Sequence, residues 1–219
     1  MEHISRLHIA PYSKAEEFAN TITHGFGTLL AIVGLYFLAV EANLTGDYWK
    51  IGSSITFGLC MITCYLCSTL YHAVSNLEMK HRMRIADHIG IYLMIAGSYT
   101  PFVLVTMHGW IGWTFFVLIW GCAITGIVAR VLNRNIPEYV SATPYVIMGW
   151  LAIIAIKPLF DSLGWEGIIL ILLGGIFYSI GVLFYRADNF PFNHAIWHLF
   201  VLAGSIAHYF AILHCVIQG

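Results

Sequence analysis

Seven apolar runs, each long enough to cross a bilayer as a helix, dominate this chain of 219 residues. They lie at about 21–40, 51–72, 88–107, 110–129, 139–157, 166–185 and 194–217. About 20 consecutive apolar residues span the hydrocarbon core at helical rise. Within that core every backbone polar group must bond inside the protein, and runs of this length do so only as helices. Composition agrees: 59% of residues are hydrophobic and 10% charged, where a water-soluble domain carries about a quarter charged. The reading is an all-α integral membrane protein. It is a seven-transmembrane helix bundle forming a single domain over 1–219, with short connections, no linker and no internal repeat.

The ends of the runs carry the remaining information. Ser13 to Glu16 reads as a capping box, in which Ser13 takes a free backbone N–H and Glu16 reaches back. It predicts a short amphipathic helix over about 13–20 before the first span. The first twenty residues contain Pro11, Glu16 and Glu17 and no apolar signal core, so the first span is expected to direct insertion. With the N-terminus inside, the inside segments hold Arg6, Lys14, Lys80, Arg82, Arg84, Arg130, Arg134 and Arg186, and the outside ones only Lys50 and Lys157. The positive-inside rule therefore predicts a cytoplasmic N-terminus and an outside (periplasmic) C-terminus. A formal net charge of −1 gives no basic face for nucleic acid, which is excluded as a partner. Cys60, Cys64, Cys67, Cys122 and Cys215 all sit inside apolar runs and read as buried thiols rather than a disulfide framework.

Span counting gathers polar residues at one membrane face. Ser68 and His72 end the second run, Asp87 precedes the third, His194 and His198 open the seventh, and His24 lies near the start of the first. Each of these positions is expected on the cytoplasmic side. Residues four apart share a helix face, so His194 and His198 point together, as do Ser68 and His72. Two imidazoles one turn apart bind one divalent metal, and His72 is the natural third ligand, with water or Asp87 in the fourth position. The plainer alternative for the histidine pair is an interfacial helix start with both rings reaching for head groups. Asp87 reads equally as the N-cap of the third span. Ser68 alone can bond the carbonyl one turn back. Cys64, Ser68 and His72 also form a stripe, and a cysteine-containing zinc site on it would be structural. His208 lies about 21 Å along the helix from His194 and cannot share the site; it is expected to line a cavity or bond a neighbouring helix. His3, His8, His81, His88, His108 and His214 read mostly as surface residues near loops and ends.

The segments "EEFANTITHGFG" (16–27), "STLYH" (68–72), "DHIGIYLMIAGSYTPF" (87–102) and "NHAIWHLFVLAGSIAHYF" (193–210) together resemble the hemolysin III branch of the progestin and adipoQ receptor family. The match runs from about residue 13 to the C-terminus. The resemblance implies zinc near the cytoplasmic face, held by His72, His194 and His198, with Asp87 on the metal-bound water and Ser68 supporting the site. It implies kinship with membrane hydrolases such as alkaline ceramidases. It also implies a multi-pass protein of the bacterial plasma (inner) membrane that acts in lipid and fluidity homeostasis.

Three neutral imidazoles leave zinc its full charge and an open position, which lowers the pKa of bound water to about 7. Lipid amide hydrolysis is therefore the leading expectation, with Asp87 moving the proton, Ser68 donating to the oxyanion, and membrane lipid as substrate. A non-enzymatic lipid or membrane-state receptor with structural zinc is the alternative. A cytolytic pore is disfavoured because the runs carry no charged lumen face, and a transporter because the polar groups avoid the midplane.

Overall fold

The computed structural model describes residues 12–133, 138–187 and 190–219. Among them all regular structure is helical. The elements are α1 (Lys14–Thr45), α2 (Tyr48–Ala73), α3 (Leu77–Pro101), α4 (Gly109–Leu132), α5 (Glu138–Trp150), α6 (Ile156–Tyr185) and α7 (Asn193–Phe210). α3 runs on into a wider π-helical turn, Phe102–Thr106, and α7 into another, Ala211–Ile217. The first follows Pro101, whose missing N–H and ring bulk disrupt the α-helical ladder at that point.

The capping box is present. Glu16 N–H donates to Ser13 Oγ at 3.3 Å, and Ser13 N–H donates to Glu16 Oε2 at 2.8 Å. The helix it starts is not a short leader, however. It continues unbroken through the first span to Thr45, where Gly46 at φ 68° and the N-cap Asp47 turn the chain into α2. Its 32 residues extend about 48 Å at 1.5 Å per residue, well beyond a hydrocarbon core of about 30 Å. The polar first turns therefore stand past the apolar layer and carry their own side chains to the end of the bundle.

α3 departs from expectation in the same way. It begins at Leu77, with the Asn76 side chain accepting the Met79 N–H at 3.0 Å. Asp87 is thus about three turns inside the helix and does not cap it. His81 and His88 are buried rather than surface residues. His3 and His8 lie outside the described residues.

Among the described residues, six helical segments are long and apolar enough to cross a membrane, which makes this a multi-pass membrane protein. One of them, Ala142–Tyr185, contains 44 residues, more than twice what a single crossing needs. It is interrupted by a 3-10 turn at Leu151–Ala155 and by Gly164 at φ 63°, ψ −166°. The Tyr99 hydroxyl holds the first break, accepting the Ala152 N–H at 2.8 Å and donating to the Gly149 carbonyl at 2.7 Å. Across the second break the chain doubles back. Trp150 Nε1 donates to Ser179 Oγ at 2.9 Å, and these residues lie nearly equal distances in sequence before and after Gly164.

Small residues bring the central helices together. A Cβ on Gly90 would lie 2.8 Å from Cys64 Cα, and one on Gly97 would lie 2.6 Å from Cys60 Cβ, so α3 meets the backbone of α2 directly. Phe57, Met61, Tyr65, Trp197, Val201 and Ile212 fill the core. Leu29, Val33 and Phe37 of α1 and Val117 and Ile124 of α4 face outward, as lipid-facing surfaces do. Early and late helices meet at both ends of the bundle. Phe192 N–H donates to Glu16 Oε1 at 3.1 Å at one end, and Lys50 Nζ donates to the Ile217 carbonyl at 2.7 Å at the other.

Candidate metal centre

α2 and α7 bring His72, His194 and His198 together at the end of the bundle where α1 begins. All three are buried, and one ligand nitrogen from each lies within 4.8 Å of the others. The ring centroids are separated by 4.6 Å for His194–His198, 5.0 Å for His72–His194 and 5.2 Å for His72–His198. The i, i+4 relation on α7 produces the first spacing, and the docking of α2 produces the others.

α7 opens abruptly, which fixes where its histidines stand. Phe192 adopts the left-handed conformation, φ 61°, immediately before the first turn. That conformation costs a non-glycine residue about 1–2 kcal/mol. It is offset locally, because Phe192 N–H bonds Glu16 and the Asn193 side chain donates to the Ala187 carbonyl at 2.5 Å.

Proton positions follow from the neighbours. His72 Nδ1 lies 2.7 Å from Glu17 Oε2. A carboxylate only accepts, so Nδ1 carries the proton and Nε2 presents a lone pair. Nε2 is buried and bonds no protein atom among the described residues. His198 Nδ1 lies 3.0 Å from Thr23 Oγ1, whose own proton goes to the Ala19 carbonyl at 2.9 Å. That hydroxyl therefore accepts from Nδ1–H, and His198 Nε2 also presents a lone pair. His194 packs its ring against Tyr12 at 5.0 Å and Tyr185 at 5.8 Å. A carboxylate or hydroxyl that fixes the outer nitrogen while the inner one faces the centre is the usual support of metal-bound imidazole. The group can hold a metal ion, and the donor chemistry suits zinc among other imidazole-binding metals.

The Glu17 carboxylate is itself anchored. Its Oε1 lies 2.7 Å from Lys80 Nζ, and the buried Lys80 also donates to the Tyr71 carbonyl at 3.1 Å. Lys80 lies in the first turn of α3, so one carboxylate ties α1, α2 and α3 around His72. Asn20 Nδ2 approaches the same His72 Nδ1 at 3.4 Å.

Asp87 and Ser68 line the cavity beside the histidines, with Asp87 half-buried on α3 and Ser68 buried on α2. Ser68 does not bond back to its own helix. Its neighbour Thr69 does, donating to the Tyr65 carbonyl at 2.7 Å, whereas Ser68 Oγ meets no partner among the described residues. Cys64 lines the same cavity but stands outside the histidine group. All five cysteines are free thiols. His208 bonds the Ile171 carbonyl at 3.2 Å through Nε2, on the neighbouring helix, and also lines the cavity.

From the histidines this largely apolar cavity runs between α3, α5, α6 and α7 to Phe102, Met107 and Leu159. From Asp87 to Pro101 α3 alone extends about 21 Å at 1.5 Å per residue. Glu17, Asn20, Thr23 and Lys80 are the site residues that the sequence reading passed over. Glu17, Asn20 and His24 follow i, i+3, i+7 and form a polar stripe entering the first apolar run, but the stripe does not say which partners these side chains meet, and Thr23 and Lys80 carry no such pattern.

Comparison with known proteins places these residues in context. The sequence model of the family described as "Haemolysin-III related" matches residues 12–209, a range that includes every residue of the centre. The hemolysin-3 homolog of Bacillus subtilis (strain 168) is 46% identical over 202 residues, covering 92% of this chain and 95% of that one. Hemolysin-3 of Bacillus cereus is 44% identical over 202 residues, 92% of each chain. The human monocyte to macrophage differentiation factor is 30% identical over 203 residues, 90% of this chain and 83% of that protein.

Proposed function

This chain belongs to the haemolysin-III-related family, and from that premise and the geometry above we propose that it is a zinc-dependent hydrolase of membrane lipid amides. The observation that carries the reading is the convergence of three buried imidazoles, two of them engaged through Nδ1 by α1, at the end of an apolar cavity. His72, His194 and His198 hold the metal. Zinc held there would supply Lewis acidity toward a carbonyl and toward water. Asp87 accepts and returns the proton at its carboxylate. Ser68 Oγ, which has no other bond to make among the described residues, donates to the oxygen on which charge develops. The cavity takes the lipid chains and keeps bulk water from the reacting carbonyl.

The proposed setting is the plasma (inner) membrane of a bacterium, with seven crossings, the centre at the cytoplasmic end and the C-terminus outside. The reversal at Gly164 supports two crossings within Ala142–Tyr185. The distribution of lysine and arginine supports the orientation. Release of fatty acid from a long-chain N-acyl amino alcohol by protein in lipid nanodiscs tests the activity. Wild type is expected to turn over, His194→Ala to lose turnover with its metal, and Asp87→Asn to keep the metal while turnover falls at least a hundredfold. Metal-loaded wild type that hydrolyses no lipid amide contradicts the hydrolase and favours a lipid sensor with structural zinc.

A further inference from the structure

His24 is not one of the metal-ligating histidines, yet it is buried against them. Its ring stacks on His198 with centroids 3.5 Å apart and planes 11° from parallel. The ring also packs at a tilt on Tyr65, with centroids 5.1 Å apart. Only 4% of the residue is exposed, and neither ring nitrogen bonds a protein atom among the described residues. A phenylalanine or leucine would provide this packing without burying two polar atoms. Every neutral imidazole carries one N–H, and a buried donor without an acceptor is costly, so native structures rarely keep one without a role.

His24 also lines the cavity that Ser68 and Asp87 line. The parallel stack places it one van der Waals layer from His198, one of the three histidines of the centre. We propose that His24 is a head-group-binding residue, whose ring N–H donates to a carbonyl oxygen of the lipid bound at the His72–His194–His198 centre. The inference rests on the reading of those three as metal ligands. It adds a donor from α1 to the Ser68 donor on α2, so the bound carbonyl is held from two helices. It also gives the site a preference for heads that offer an oxygen acceptor.

The test compares two probes in nanodiscs loaded with zinc. Palmitoyl hydroxamate offers the centre a carbonyl oxygen, whereas hexadecanethiol binds metal through sulfur and offers none. His24→Phe is expected to weaken hydroxamate binding about tenfold and to leave thiol binding within about twofold, the loss expected for one hydrogen bond. His24→Gln keeps an N–H donor and is expected to recover most of the hydroxamate affinity. Should His24→Phe not fold, the smaller His24→Leu gives the same comparison. A merely structural role for His24 weakens both probes together, and that result, or no change in either, overturns the proposal while the metal centre stands. Wild type that binds neither probe and no zinc overturns the metal reading and the proposal with it.

Discussion

The Glu17 carboxylate fixes the proton on His72 from 2.7 Å while balancing the charge of Lys80 at the same distance. It thereby sets which nitrogen of the ring faces the centre. Glu17→Gln keeps the shape but lets the amide act as donor or acceptor, so the tautomer is no longer dictated. Zinc affinity is expected to fall about tenfold to a hundredfold, read by competition with a chromophoric chelator. The same contacts mark where residue-level reading of the sequence stopped. The clustering of His72, His194 and His198 was legible because the i, i+4 spacing and the ends of the apolar runs beside these residues can be read along the chain. Glu17, Thr23 and Lys80 were not, because their roles arise from contacts between α1, α2, α3 and α7 that no spacing within one helix encodes. Asp87 was open to reading as a cap because the apolar run starts beside it, whereas the actual cap, Asn76, sits in a polar stretch.

At the scale of elements, the apolar runs located helices apolar enough to cross a membrane but not the helix ends. α1 and α3 both extend through polar residues beyond the apolar run, and those extensions carry Glu17 and Lys80 into the site. Hydropathy measures what lipid requires; it is silent on helix that continues where other helices satisfy it. The contact between α2 and α3 is the element on which the site most depends. A Cβ at Gly90 would lie 2.8 Å from Cys64 Cα, a backbone atom that cannot move without its helix. Gly90→Ala is expected to cost about 1–3 kcal/mol by overpacking. It also shifts α2, which carries His72. The expected outcome is a lower thermal midpoint in detergent together with weakened zinc binding. An unchanged midpoint would show that the two helices separate freely.

For the whole molecule, the centre joins the beginning and end of the chain. The candidate ligands come from α2 and α7, their supports from α1, and Glu16 ties α1 to Phe192, the residue before α7. Zinc at a hundred times its dissociation constant is expected to stabilise the bundle by about 2.7 kcal/mol, because it binds only the folded arrangement. The proposed topology predicts that a cysteine reporter beside Lys14 is labelled only from the cytoplasm, and one after Gly219 only from outside. Both labelled from one side would remove a crossing and contradict two crossings within Ala142–Tyr185.

The central claim is that His72, His194 and His198 hold a metal ion, and the most direct test is the metal content of protein purified gently in detergent without chelators. Wild type and the His194→Ala/His198→Ala variant are measured side by side by elemental analysis. The account predicts about one zinc per chain in wild type and none in the variant, as one three-imidazole site requires. Equal metal in both, or none in wild type after incubation with zinc, would contradict it.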